Sequence, residues 1–212
     1  MLPKSEKLLN SCKITFLIKS DTVNLDRYTI KDIPGSSGRL DVISRCILSA
    51  LLNEHSFDNN SQIWVYFENY ETLQFDPHKL NYERFPKNEL LLSDFIAKIL
   101  KSPDNSEVKS NKNPVGSIRK GNSSILETLR DINRKRKRNL YVLKETGAPF
   151  SKAIEQLISI SDLYFIIGNQ CEDFINSKAF LDLNIPELSL GTKSYLASQV
   201  VRLVKLNIQK IL

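Results

Sequence analysis

Residues that ligate metals or form disulfides are scarce in this chain. Three cysteines (Cys12, Cys46, Cys171) and two histidines (His55, His78) are scattered through 212 residues, and no CxxC spacing occurs. A structural zinc needs clustered ligands, and a disulfide frame needs an even, patterned set of cysteines, so neither is expected. Cys46 falls inside an apolar pattern and reads as a small core residue. Long apolar runs are also missing: none approaches the ~20 residues of a membrane helix, and mean hydropathy is −0.26. The first residues, Met1-Leu2-Pro3-Lys4-Ser5-Glu6, have no signal-peptide h-region, which makes the cytoplasm the expected location. No internal repeat is visible.

What is present suits a soluble α/β protein. Hydrophobic residues make up 41% of the chain, enough to bury a sizeable core. Residues 1–212 are expected to form one domain. The net charge is +6 and the sequence pI about 9.1. That balance favours a polyanionic partner, although a generic basic soluble protein has it too.

In chain order, residues 13–19 form a short β-rich apolar run and predict a buried first strand. The turn cluster Ile33-Pro34-Gly35-Ser36-Ser37-Gly38 precedes a helix, with Ser36 or Ser37 as its cap and Leu40, Ile43, Ile47 and Leu51 at helical spacing. Residues 62–67 and 71–75 read as two further strands, and 89–100 as an amphipathic helix. Residues 101–114, rich in Ser, Asn, Pro and Lys, read as a mobile surface loop. A short strand over 115–120 follows, then a helix capped by Ser123 or Ser124 and carrying Leu126, Leu129 and Ile132. Residues 140–143 and 163–168 read as strands, with a helix over 150–158 between them and a short helix near 171–180. The last helix, 194–212, carries Leu196, Val200, Leu203, Val204, Ile208 and Ile211, with Val201 and Leu206 off the main stripe. Strands alternating with helices imply an α/β fold with a mostly parallel sheet.

Two stretches carry chemistry. Arg134-Lys135-Arg136-Lys137-Arg138 ends a predicted helix, where cations suit the dipole. Five in succession exceed what capping needs and would face phosphates. The second stretch, Ile185-Pro186-Glu187-Leu188-Ser189-Leu190-Gly191-Thr192-Lys193-Ser194, reads as a strand ending in a tight loop, with Ser194 as cap of the last helix. Its apolar residues and backbone donors would suit an adenine ring, though many strand–loop–helix joints look alike.

Three segments together resemble a known family. They are residues 33–46, with Arg39, Asp41 and Arg45; Phe165-Ile166-Ile167-Gly168; and Leu188-Ser189-Leu190-Gly191 followed by Ser194-Tyr195-Leu196-Ala197-Ser198. In combination they are similar to the archaeal-type tRNA pseudouridine-54 N1-methyltransferases, the TrmY family, of the SPOUT class of knotted methyltransferases. The resemblance runs from about residue 13 to the C-terminus. It implies a SPOUT-type sheet flanked by helices, with a C-terminal trefoil knot within about residues 140–212. It implies S-adenosyl-L-methionine as cofactor, tRNA as partner, no metal, and a homodimer. Carried over by position, the cofactor would be held by Leu143, Gly168, Ser189, Leu190, Gly191, Thr192, Lys193, Ser194, Leu196 and Val200. Gly168 would let the ligand approach the backbone, or be an ordinary turn glycine.

Methyl transfer to N1 of pseudouridine requires N1 to be positioned in line with the methyl carbon and its proton to be removed. Asp41 is the candidate catalytic carboxylate. The alternative for Asp41 is a helix-surface ion pair with Arg45 at i,i+4. Arg39 and Arg45 would hold phosphate or base carbonyls, and Arg134, Arg136 and Arg138 the RNA backbone. A related branch of the class methylates pseudouridine in small-subunit ribosomal RNA, which is the nearest alternative substrate. A non-catalytic RNA-binding dimer is another alternative, suggested by Asn169, Gln170 and Val200, which depart from the family's pattern.

Overall fold

The computed structural model describes residues 12–102, 115–136, 139–157, 162–168 and 173–210. The chain opens with β1 (Lys13–Ser20), the one-turn helix α1 (Ile33–Ser36) and α2 (Leu40–Leu51), then β2 (Ser61–Phe67), β3 (Thr72–Phe75) and α3 (Glu89–Lys101). Next come β4 (Arg119–Gly121), α4 (Ile125–Arg136), β5 (Leu140–Pro149) and α5 (Phe150–Leu157). The last part holds β6 (Asp162–Ile167), the short helices α6 (Asp173–Asn176) and α7 (Lys178–Leu181), β7 (Glu187–Ser189) and α8 (Ala197–Gln209).

The strands form one sheet in the order β4-β3-β2-β1-β6-β5-β7. The pairs from β2 to β7 are parallel, while β3 and β4 run antiparallel at one edge. β1 is central and almost wholly buried, as a strand with helices on both faces must be. Its side chains alternate between two cores. Ile14, Phe16 and Ile18 join residues of α2, α3 and α8 on one face; Leu17 joins Tyr66, Ile166, Ile125, Leu129, Phe174 and Phe180 on the other. The chain leaves β1 toward β2 on one side and later fills the other side with β6, β5 and β7. β1 is therefore a topological switch point, and ligands in such sheets bind beyond the carboxyl ends of the strands there.

Several local expectations are corrected. The helix expected to start at Ser36 or Ser37 starts at Leu40, because Pro34 first nucleates a separate turn and Gly38 breaks it with φ 61°. A Cβ on Gly38 would collide with the Thr22 carbonyl, so only glycine fits. Ser37 still serves α2, accepting from the Leu40 amide at 3.0 Å. Ser194 does not cap α8; the helix begins at Ala197, and the Gln199 side chain accepts from the Leu196 amide at 3.0 Å. Val201, placed off the apolar stripe by the sequence, is fully buried, whereas Leu206 is exposed. The strand expected over 115–120 is shorter and later, at β4. Ser124 and Glu127 form the reciprocal box that starts α4, at 2.9 and 3.2 Å. Most of the 101–114 loop lies outside the described residues.

Candidate functional site

The carboxyl ends of β5, β6 and β7 and the near face of α2 enclose a cavity of about 530 Å³, within the usual range for a small-molecule site. Its floor is built by the departure of β5 from regular pairing. Leu188 of β7 pairs with both Leu143 and Ala148, so residues 144–147 bulge out between them. At the turn back, a Cβ on Gly147 would stand 2.7 Å from the Leu188 backbone, closer than any side chain allows.

The cavity brings together most of the residues singled out in the sequence. Leu143, Gly168, Leu190, Gly191, Lys193, Leu196 and Val200 line it, and so do Arg39 and Arg45. A Cβ on Gly168 would meet only Ile175, at 3.7 Å, so the bare backbone there faces open space rather than packed protein. Ser189 is buried behind the lining. Its Oγ lies 3.0 Å from the carbonyl oxygens of Glu145 and Gly191 and accepts from the Gly191 amide at 3.2 Å. It thereby ties the bulge of β5 to the loop after β7. Gly191 has φ 130°, which favours glycine at this turn. Thr192 and Ser194 are exposed and do not line the cavity.

Opposite the apolar wall stands a charged cluster. Arg39 sits in a left-handed conformation just before α2 and donates through Nε and Nη2 to Asp41, at 3.0 and 3.2 Å. Arg45, one turn on, donates to Asp41 Oδ2 at 2.8 Å, and its Nε lies 3.4 Å from Glu89. The Asp41 carboxylate is only 5% exposed, while the Arg39 and Arg45 side chains are 46% and 36% exposed. The hydrogen bond to Asp41 raises the pKa of Arg39 above its usual value. Asp41 itself is absent from the cavity lining; it stands behind the guanidiniums and fixes both. The expected Asp41–Arg45 ion pair is present, and Arg39 joins it.

The basic run over 134–138 is only partly described. Arg134 is exposed on α4 and paired with Asp131 at 3.0 Å. The Arg136 side chain and Arg138 lie outside the described residues, as do Asn169 and Gln170.

The sequence reading missed several lining residues: Glu145, Thr146, Ile175, Asn176, Tyr195 and Ser198. Glu145 and Thr146 follow Leu143 directly, so a wider window around that residue would have found them. Ile175 and Asn176 arrive through α6, which no motif marked. Lys144, also missed, is held by Glu187 at 2.7 Å.

Residues 14–211 match the family model described as "Putative SAM-dependent RNA methyltransferase". The chain belongs to that family. Two named relatives are similar along nearly their whole length. The tRNA (pseudouridine(54)-N(1))-methyltransferase of Thermococcus onnurineus is 30% identical over 205 residues, covering 93% of this chain and 97% of the relative. The enzyme of the same name from Pyrococcus abyssi is 26% identical, covering 92% and 97%. Among solved structures, Archaeoglobus fulgidus Nep1 bound to S-adenosylhomocysteine superposes with a TM-score of 0.62 over 95% of this chain and 98% of its own, at 18% identity, a likeness of fold. The family's cofactor is S-adenosylmethionine, and the cavity suits it: an apolar wall for adenine, a tight loop with backbone groups, and uncovered backbone at Gly168. Among the described residues no helix is long and apolar enough to cross a membrane, and no cluster of three or more His, Cys, Asp or Glu could hold a metal.

Proposed function

We propose that this chain transfers a methyl group from S-adenosylmethionine to N1 of pseudouridine 54 in tRNA. The observation that carries the reading is the shared cavity: the Arg39–Asp41–Arg45 cluster and the Gly168 and Leu190–Gly191 backbone open onto the same space. The relatives' names supply the substrate.

Leu143, Gly168, Leu190, Gly191, Leu196 and Val200 would hold the cofactor, with Ser189 bracing the loop and Thr192, Lys193 and Ser194 at its rim. The bound cofactor supplies an electrophilic methyl group on a sulfonium. Arg39 and Arg45 present N–H donors to the uracil carbonyl oxygens, which gain negative charge as the N1–H bond breaks. Asp41 is the carboxylate for the N1 proton. Arg39 is its more exposed partner, and transfer of that guanidinium onto the RNA frees Oδ1 while Arg45 keeps Oδ2 in place. With its proton passed to Asp41, N1 would carry the electron pair that takes the methyl group, and the sulfonium would be left as a neutral thioether. Such a step depends mainly on alignment, which the rigid β-strand ends provide.

Arg134, Arg136 and Arg138 would grip the RNA backbone, consistent with a net charge of +6. Exposed Tyr195 and Leu196 at the cavity rim and Leu206 on α8 support a second copy of the chain completing the site as a homodimer. The path from edge strand β7 back to α8, which packs on α2, supports the knotted arrangement of residues 140–212 in a single domain.

The RNA class is tested by comparing single-turnover rates on tRNA carrying pseudouridine 54 and on a pseudouridine-containing hairpin of small-subunit ribosomal RNA. The tRNA is expected to react faster. Faster reaction of the ribosomal hairpin would reassign the substrate, and binding of both without reaction would favour a non-catalytic RNA-binding role.

A further inference from the structure

A second cavity, of about 640 Å³, lies on the same carboxyl edge of the sheet, at the ends of β1 and β2 and beside β3, β4 and the start of α4. Nothing in the methyl-transfer chemistry uses it. The thin helix α6 separates the two spaces: Phe174 lines this one, while Ile175 and Asn176 line the cofactor cavity. The two cavities are therefore neighbours along one edge, as consecutive sites on an extended strand would be.

Its lining is aromatic and neutral-polar. Tyr70 supplies ring surface, backed by the buried rings of Tyr66, Phe67 and Phe174, and Asn69 and Asn122 supply amides that can both donate and accept. The two carboxylates present are already engaged, Glu68 by Lys19 at 2.8 Å and Glu71 by Lys120 at 2.9 Å. Tyr70 is half-buried, set edge-on against Phe67, and anchored by its hydroxyl, which accepts from the Leu25 amide at 2.8 Å. Its ring is thus a fixed wall. Tyr66 is 3% exposed, and its buried hydroxyl, beside the Thr128 side chain, makes no hydrogen bond of good geometry. At the rim, a Cβ on Gly121 meets nothing within 4 Å, so the space above β4 is open. Rings beside amides with paired charges describe a site for a flat, uncharged, hydrogen-bonding group, not for a phosphate.

We propose that this second cavity receives an unstacked nucleobase of the RNA, a neighbour of the modified nucleotide, stacked on Tyr70 and read by Asn69 and Asn122. The proposal rests on RNA being the substrate. It adds a base-recognition site on the opposite side of α6 from the chemistry. Such a site would hold the target loop open while the target base occupies the first cavity, and would let the enzyme sense the base beside its target.

The test uses the full chain and a pseudouridine-54 tRNA carrying photoreactive uridines in the T-loop. Crosslinks are mapped by mass spectrometry, and tRNA affinity is measured in parallel. The account expects crosslinks to Tyr70 or Asn122. It also expects Tyr70→Leu and the plugging variant Gly121→Phe each to raise the tRNA Kd roughly fivefold or more, with S-adenosylmethionine affinity unchanged. Tyr70→Phe, which keeps the ring, should bind as the parent does; this control separates stacking from loss of the Leu25 hydrogen bond. Crosslinks confined to the first cavity, or an unchanged Kd in a folded Gly121→Phe variant, would overturn the proposal. Failure of the methyltransferase reading looks different: crosslinks in the second cavity persist while no methylated nucleoside forms.

Discussion

Arg45 donates to Asp41 across 2.8 Å, one turn apart on α2, and the carboxylate it meets is almost fully buried while the guanidinium reaches the cavity. The pair holds a cation of α2 against the cavity. Replacing Asp41 with Asn removes the charge that holds both arginines and, on the proposed mechanism, the proton acceptor. Turnover should fall by about 10²-fold or more, with S-adenosylmethionine affinity within twofold of the parent by calorimetry. Unchanged turnover would make Asp41 purely structural.

Ser189 makes a different prediction. Its hydroxyl joins Glu145 to Gly191 and touches no open part of the cavity wall. Ser189→Ala should weaken cofactor binding by about 1 kcal/mol, the usual worth of a buried hydrogen bond, and leave tRNA affinity unaltered. The calorimetric Kd reads this directly.

How far these features were legible in the sequence depends on their range. The parallel sheet followed from the alternation of apolar strands with amphipathic helices, and β1, β2, β6 and α3 lie within a residue or so of where the pattern put them. Arg39, Gly168 and Leu190 were marked by local motifs. The cluster's internal geometry was not legible, because the left-handed turn at Arg39 depends on Gly38 lying against the Thr22 carbonyl, a contact made through the fold. Lys205 is the clearest miss. No sequence motif marked it; in the structure it is 6% exposed, beneath the end of α2.

That lysine pairs with Asp58 at 2.9 Å and donates to the carbonyls of Ser49 and Ala50, closing the C-terminal end of α2. Lys205→Met should destabilise the fold by about 3–5 kcal/mol, since it leaves a buried carboxylate without its partner. Adding Asp58→Asn should recover part of the loss. Urea unfolding of the three variants forms the cycle; additive losses would show that the pair is not coupled.

Stability should also decline in alkali. Burial pushes the Cys46 thiol up to about 12 and the Cys12 thiol up to about 11, from a usual value of 9.0. The folded state thus favours the neutral thiols. Their contribution is complete below the unfolded pKa and is lost as pH rises from there through the folded values. Urea midpoints should fall above about pH 9, and Cys46→Ala should flatten that fall. Both thiols should react with a disulfide reagent only on unfolding.

Arg134 tests the RNA surface. Among the described residues it is held by a solvent-exposed pair with Asp131, which a phosphate could displace. Arg134→Glu should weaken tRNA binding and reduce the slope of log K against log salt by about one. An unchanged slope would mean that α4 faces solvent in the complex.

The central claim is that the shared cavity carries methyl transfer to N1 of pseudouridine. Nucleoside mass spectrometry, after incubation with methyl-deuterated S-adenosylmethionine and pseudouridine-54 tRNA, tests it most directly. The account predicts N1-methylpseudouridine carrying the deuterated methyl group, at a level that collapses in Asp41→Asn. Intact cofactor and tRNA binding with no labelled N1-methylpseudouridine would contradict it.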